Sequence, residues 1–376
     1  SAFSDCSSLT SITIPEKITS LGELTFYNCS SLASVELPSG ILSFDFDCFA
    51  KCNSLTNIEI PSSVTSIGIR AFAGCSSLTN IKIPSNLTSL KEGVFAGCTS
   101  LTSIEIPSNI ETIGQNAFYG CTGFTSIEIP STVKDIGSNA FYGCNKIEKA
   151  SLPFIEGKNR YMEAIFGDVA SNLKELTILD GCTILGFQAL SGCYNLTEIE
   201  IPSSVTNIGY EAFLGCNSLT NIIIPNSVTN ISFGAFSYCS NLTSIEIPSS
   251  VTTIGASAFS NCDKLEKITL PFVGESKDSN MTLSYIFGNI PSSLKEVIIL
   301  EGCTSIGANA FRYCTSLTNV TLPNSLTKIG ANAFGECTNL KYNYYEDGTY
   351  LGNETNKYLA LISYSNSAKT LNINDK

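Results

Sequence analysis

The chain predicts a solenoid, a stack of one short copied unit, on three observations. A cysteine returns every 23 residues at Cys6, Cys29, Cys52, Cys75, Cys98, Cys121 and Cys144, again from Cys193 to Cys262, and at Cys314 and Cys337. Between cysteines one pattern recurs, C-x-S-L-T-x-I-x-I-P-S-x-V-T-x-I-G-x-x-A-F-x-G, nearly complete from Cys75 to Gly97 and from Cys216 to Tyr238. The two long gaps, 49 residues from Cys144 to Cys193 and 52 from Cys262 to Cys314, each hold two coils, with Ala170 and Pro291 standing where a cysteine would. A strict period in this range marks stacked supersecondary units that share a core with their neighbours. About fifteen coil starts follow, in one elongated body rather than the two or three globular domains that 376 residues would suggest.

Each coil opens on a strand. In Leu101 to Pro107 the apolar Leu101, Ile104 and Ile106 fit the leucine-rich repeat core L-x-x-L-x-L, the last two alternating with a polar residue as on a half-buried strand. Proline then ends the strand, having no N–H to give to a ladder. Ile110 and Ile113, followed by Gly114, read as a second short extended segment and a turn. The five residues 116–120 (Asn-Ala-Phe-Tyr-Gly) are too few for a lasting helix, so a single helical or 3₁₀ turn is expected. The fold class is therefore a leucine-rich repeat solenoid of the α/β-horseshoe class, dominated by β structure.

The repeat cysteine reads as a small buried side chain closing the turn into the next strand, since free cysteine is among the most buried residue types. The off-register Cys182 and Cys303 stand where Val64 and Val205 stand in other coils, and Cys48 takes the place of the alanine in Ala71-Phe72. Stacked cysteines would have parallel Cβ vectors, unsuited to the disulfide torsion, so free thiols are expected, with Cys48 and Cys52 the pair to check.

Leu152-Pro153-Phe154 and Leu270-Pro271-Phe272 stand 118 residues apart, so a five-coil block has been duplicated. Each opens an enlarged coil, 144–169 and 262–290, whose extra residues, 155–161 and 273–283, are rich in Gly, Lys, Asn, Glu and Ser and read as surface loops leaving the solenoid on one side. The solenoid is expected to occupy 1–340. Beyond it, Tyr342, Tyr344, Tyr345, Tyr350, Tyr358 and Tyr364 surround an Asp347-Gly348 hairpin signal. Strands near 341–345, 349–351 and 357–363 are expected, packed as a partial cap, 341–376, on the last coil.

Composition excludes several functions. With 33 acidic and 21 basic side chains the net charge is −12, unsuited to phosphate backbones, so no nucleic-acid partner is expected. No apolar run approaches the length of a membrane span. There is no histidine, which removes the commonest general base and half of the usual zinc ligand sets, and the cysteine spacings follow from the coil register. No catalytic residue, cofactor or metal site is assigned, and no enzyme is expected. The chain opens on the A-F-x-x-C end of a coil, Ser1 to Cys6, and so reads as a segment of a longer protein.

One surface feature stands out. The polar position between the two inward isoleucines is held by Glu36, Glu59, Glu105, Glu128, Glu200 and Glu246, interrupted by Lys82, Ser151, Thr177 and Ile223. Stacked one per coil, these carboxylates form an acidic stripe, read either as a solubilising exposed face or as a binding site for a basic protein partner.

The repeat L-T-x-I-x-I-P-x-S-V-T-x-I-G-x-x-A-F-x-G-C, with L-P-F, I-F-G and S-L-K-E in the enlarged coils and Tyr350-Leu351-Gly352 and Tyr358 to Ile362 in the tail, resembles the BspA-like class of leucine-rich repeat proteins. The resemblance implies a surface or secreted protein of a microbe living with an animal host. It also implies adhesion to host matrix or cell-surface proteins, with no catalytic motif to carry over. A passive spacer projecting another domain is the alternative.

Overall fold

The computed structural model describes residues 1–153, 162–277, 279, 281–345, 348–353, 355–356 and 360–364. Among these the chain makes about 13 turns of a β-solenoid, with parallel strands and little helix. The count is slightly below the fifteen coil starts read from the sequence, thirteen at cysteines and two at Ala170 and Pro291, the last of them at Cys337. The strand after it, Asn343–Tyr345, pairs antiparallel with Gly348–Leu351. By internal contacts the residues fall into two units, Ser1–Cys182 with Ala189–Pro202, and Thr183–Gln188 with Ser203–Lys376.

Both units repeat the same three-sided coil. On the first side Ser126–Glu128 pairs in parallel with Lys149–Leu152, Ile127 facing Ala150, and in the second unit Ser244–Glu246 pairs with Lys267–Leu270, Ile245 facing Ile268. Alternation sets the faces: Ile127 and Ile129 are buried while Glu128 between them is exposed. Pro130 stops the strand, and its carbonyl accepts from Val133 N at 3.1 Å to close the corner. On the second side Ser89–Leu90, Thr112–Ile113 and Asp135–Ile136 ladder in order. The glycine that follows is required by close approach: a Cβ on Gly137 would lie 2.2 Å from Gln115 N of the coil before it.

The third side, expected as a helical or 3₁₀ turn, closes i→i+3 bonds in the 3₁₀ manner, Tyr119 N to Asn116 O at 3.0 Å and Cys121 N to Phe118 O at 3.1 Å. The bonds do not merge into a helix, because Asn116 (φ 55°) and Gly120 (φ 70°) are left-handed. That conformation turns alternate amides outward along the stack, so Asn116 N, Phe118 N and Gly120 N donate to Ser138, Ala140 and Tyr142 carbonyls at 3.1, 2.8 and 2.7 Å. A third inter-coil ladder results, and backbone groups that a helix would have used internally bond the next coil.

Inside, the phenylalanines of the A-F pairs stack ring on ring. In the first unit Phe26, Phe49, Phe72, Phe95 and Phe118 follow one another at 5.4, 5.4, 5.7 and 5.6 Å. In the second, Phe213, Phe236 and Phe259 do so at 4.9 and 5.5 Å. Such pairs contribute about 0.5–1.5 kcal/mol each beyond the area they bury. The repeat cysteines are buried apart from the exposed Cys6, and packed thiols donate to phenylalanine carbonyls 26 residues back, as Cys75 to Phe49 at 3.2 Å and Cys239 to Phe213 at 3.3 Å.

The first-side ladder continues through both enlarged coils: Lys149–Leu152 pairs with Glu175–Ile178, and Lys267–Leu270 with Glu296–Ile299. Here true helix replaces the turn side. Met162–Phe166 runs into the 3₁₀ segment Gly167–Asn172, and Leu283–Phe287 forms the other helix. Phe166 stacks on Phe141 at 5.3 Å, so the helix returns a ring to the interior column. The expected loop 155–161 lies outside the described residues. The loop 273–283 is only partly a surface loop: Val273, Gly274 and Leu283 are buried. The Glu275 carbonyl accepts from Ile254 N at 2.9 Å, so this segment supplies the second-side rung that its coil would otherwise lack.

The tail forms three antiparallel strands, Asn343–Tyr345, Gly348–Leu351 and Ala360–Tyr364. Residues 346–347 of the expected hairpin turn and 357–359 of its third strand lie outside the described residues. Gly352 O accepts from Leu322 N at 3.4 Å and the Asn353 amide donates to Leu322 O at 3.0 Å, tying the tail to a repeat strand, with Leu351 buried.

Candidate functional site

The row between the inward isoleucines emerges on the exposed face of the first side. In the first unit register pairs Thr13 with Glu36 and carries the row from Glu128 through Ser151 and Thr177 to Glu200. In the second unit it runs from Ile223 through Glu246 and Thr269 to Ile298 and Thr321. All six glutamates, Glu36, Glu59, Glu105, Glu128, Glu200 and Glu246, are exposed. Thr13 Oγ1 donates to Glu36 at 2.8 Å. Among the described residues no salt bridge reaches any of the six; the lysines that pair do so with Glu111, Glu148, Glu175, Glu266 and Glu296. The row is charge left uncompensated, and like charges stacked on a sheet repel.

The structure gathers four of the six into two grooves of the first unit. One, of about 680 Å³, is lined by Glu16, Glu36 and Glu59 with Leu37, Ile60 and Pro61. The other, of about 510 Å³, is lined by Glu105 and Glu128 with Ile104, Ile129, Ser151 and Leu179. Both lie where the ladder is interrupted: Ser34–Glu36 and Asn57–Ile58 belong to separate sheets, and 103–106 forms no strand. Apolar walls beside paired carboxylates suit an extended basic segment, whose aliphatic stems cover the walls while its charges meet the row. Glu200 and Glu246 stand in neither groove. Sequence reasoning missed Glu16 and the grooves themselves. An acidic residue directly after the strand-ending Pro15 was the available signal for Glu16.

The sulfurs offer little chemistry. Burial pushes the Cys52, Cys144, Cys193 and Cys262 thiols up to about 12, and raises Cys75, Cys98 and Cys239 well above the ordinary thiol range. A protonated, buried thiol is neither nucleophile nor metal ligand. Among the described residues no three Cys, Asp or Glu side chains converge as a metal-holding group, and no helix is long and apolar enough to cross a membrane.

Comparison with known families matches the chain to the BspA type leucine-rich repeat region, in six copies, over residues 1–102, 88–156, 159–281 and 280–374. Among solved structures it is similar to a leucine-rich repeat protein from Bacteroides ovatus, at 30% identity over 72% of this chain and 80% of that one, with a TM-score of 0.50. It is also similar to a leucine-rich cell surface protein from Faecalibacterium prausnitzii, at 28% identity over 89% and 78%, with a TM-score of 0.39. Comparison with curated proteins gives no match.

Proposed function

Because this chain belongs to the BspA-type leucine-rich repeat family, we propose that it is a non-enzymatic recognition or adhesion module of a cell-surface or secreted protein. It binds protein partners, host matrix or cell-surface proteins among them, through its repeat surface. Residues 1–340 form the binding body and 341–376 its end cap. The observation that carries this reading is the exposed glutamate row, without salt-bridge partners among the described residues and set in grooves at Glu36/Glu59 and Glu105/Glu128. A basic partner that covers these carboxylates relieves their mutual repulsion, which gives the interaction a sign and a salt dependence.

The test is a binding panel of purified matrix proteins against the wild type and a variant with all six glutamates changed to glutamine. Binding that weakens with ionic strength and is lost in the variant supports the proposal. A variant that binds as the wild type does, or a wild type that binds none of the panel, sinks it.

A further inference from the structure

Within the first unit the two grooves coincide with a pattern in the glutamate row. Along the stack the row reads Thr13, Glu36, Glu59, Lys82, Glu105, Glu128, Ser151, Thr177 and Glu200. Two of its eight steps set glutamate against glutamate, Glu36 to Glu59 and Glu105 to Glu128, and at both the strands do not pair. Of the six other steps five lie in or beside paired strands, and the sixth, Lys82 to Glu105, shares the strandless segment 103–106. Where pairing holds, Ile14 N donates to Glu36 O at 2.9 Å and Ile129 N to Ser151 O at 2.8 Å. Leu37 N and Ile106 N, at the equivalent positions of the two open steps, make no such bond. Ile104 is left half-buried where Ile58, Ile81 and Ile127 are buried.

Local sequence does not account for the difference. Residues 101–108 and 242–249 are the same eight, Leu-Thr-Ser-Ile-Glu-Ile-Pro-Ser. The second copy forms the strand Ser244–Glu246 and pairs with Lys267–Leu270, Glu246 facing Thr269. The first copy forms no strand, and the next residue of its row is Glu128. The neighbour, and not the repeat, decides whether the rung pairs. We infer that repulsion within each glutamate pair holds its groove open, so that removing one charge lets the rungs pair and closes the groove. Like charges directly opposite on a sheet oppose pairing, and adjacent strands lie about 5 Å apart. The surrounding charges leave the repulsion standing. Glu16 lines the first groove and adds to it, Lys82 has no salt bridge among the described residues, and Lys149, in the coil after Glu128, is paired with Glu175. The grooves are therefore gated by their own charge, open while the carboxylates are bare and closed when they are screened or neutralised. The consequence for recognition rests on the binding function proposed above; the opening itself does not.

Amide hydrogen exchange on the full chain, with no partner present, reads the rungs directly. In Glu128→Gln the amides of Ile104 and Ile106 are expected to exchange about tenfold more slowly than in the wild type, and in Glu59→Gln those of Val35 and Leu37. Glu246→Gln, which removes the same charge from a step that faces Thr269, leaves protection along its strand unchanged. In the wild type, 1 M sodium chloride shortens the screening length to about 3 Å and slows the same four amides. It adds nothing in the Glu59→Gln/Glu128→Gln double variant. The salt measurement needs no substitution, so it decides the matter even where a variant folds poorly. Exchange as fast in the variants as in the wild type, slowing of equal size in Glu246→Gln, or a salt effect that persists in the double variant would each overturn the proposal. Slowed exchange in a chain that binds none of the matrix panel would keep the gate and remove the adhesion reading. Salt-sensitive binding with exchange unchanged would do the reverse.

Discussion

Cys52 and Phe26 are joined across a coil boundary: the Cys52 thiol donates to the Phe26 carbonyl at 3.2 Å, both residues being fully buried. The same bond recurs 23 residues on, Cys75 to Phe49, and again from Cys98 to Phe72 at 3.3 Å. The cysteine therefore fills a small space in the shared interior while giving a buried carbonyl a weak donor. Alanine meets neither need. Cys98→Ala is expected to destabilise by about 1–3 kcal/mol, through lost volume and an unsatisfied carbonyl. Chemical denaturation with the midpoint compared at constant slope checks it.

These thiols also give the fold an alkaline limit. Cys52, Cys144, Cys193 and Cys262 rise from an ordinary 9.0 to about 12 because burial penalises the thiolate. Folded-state values raised above unfolded ones leave stability intact below pH 9. As the pH climbs from there toward 12 the unfolded chain loses protons that the folded chain keeps, and stability falls. The melting temperature should be flat up to about pH 8.5 and then drop. A thiol-specific alkylating reagent at pH 8 should modify the exposed Cys6 in the folded protein and the remaining cysteines only after denaturation. A flat melting temperature to pH 10.5, or rapid folded-state labelling of Cys75, would contradict this account.

The coil was legible in the sequence because every level repeats the same statement. The isoleucine pair around Glu128, the stop at Pro130 and the burial of Cys144 each follow from one residue type seen in many copies. The third side was harder to read. Its left-handed positions include Asn116 and Gly120, which advertise that conformation, but also Leu24, Arg70 and Tyr238, which do not. Residues 273–275 were read as surface loop because Gly beside Glu and Ser signals one, whereas Val273 and Gly274 are buried and the Glu275 carbonyl fills a missing rung. The exposure of the six glutamates was readable from alternation. The grooves were not, since they arise where ladders part between neighbouring coils, a property of the stack and of no single repeat.

Glycines in equivalent positions of the repeat should respond differently to one methyl group. A Cβ on Gly137 would meet Gln115 N at 2.2 Å, backbone against backbone, whereas one on Gly22 meets nothing within 4 Å. Gly137→Ala should cost about 1–3 kcal/mol as the coils are forced apart, and Gly22→Ala should stay within about 0.5 kcal/mol of the wild type. Equal effects from the two would show that the inter-coil approach is not what selects glycine.

Asp47 is buried and left-handed (φ 52°), and its carboxylate is held by Arg70 of the next coil, Nε to Oδ1 at 3.0 Å, whose guanidinium also lies 4.7 Å over the Phe46 ring. Arg70→Ala strands a buried carboxylate and should destabilise by about 1–3 kcal/mol. Adding Asp47→Asn, which tolerates the left-handed backbone but carries no charge, should recover most of that loss. A double variant as unstable as the single one would place the cost in the lost packing over Phe46.

The last prediction concerns how strands keep register where the period breaks. Across the first enlarged coil Lys174 pairs with Glu148 at 2.7 Å and Lys149 with Glu175 at 2.7 Å. Across the second, Lys295 pairs with Glu266 at 3.1 Å and Lys267 with Glu296 at 3.2 Å. Each set crosses lysine and glutamate, so that sliding either strand by one residue sets like charges opposite one another. Their value lies in rejecting the wrong register, since exposed ion pairs add little stability by themselves. Lys149→Glu alone should lower the melting temperature and loosen amide-exchange protection over Glu175–Ile178. Adding Glu175→Lys, which restores the pair in reverse, should return both. Protection that stays lost in the reversed pair would mean that the ladder bonds, and not the charges, choose the register.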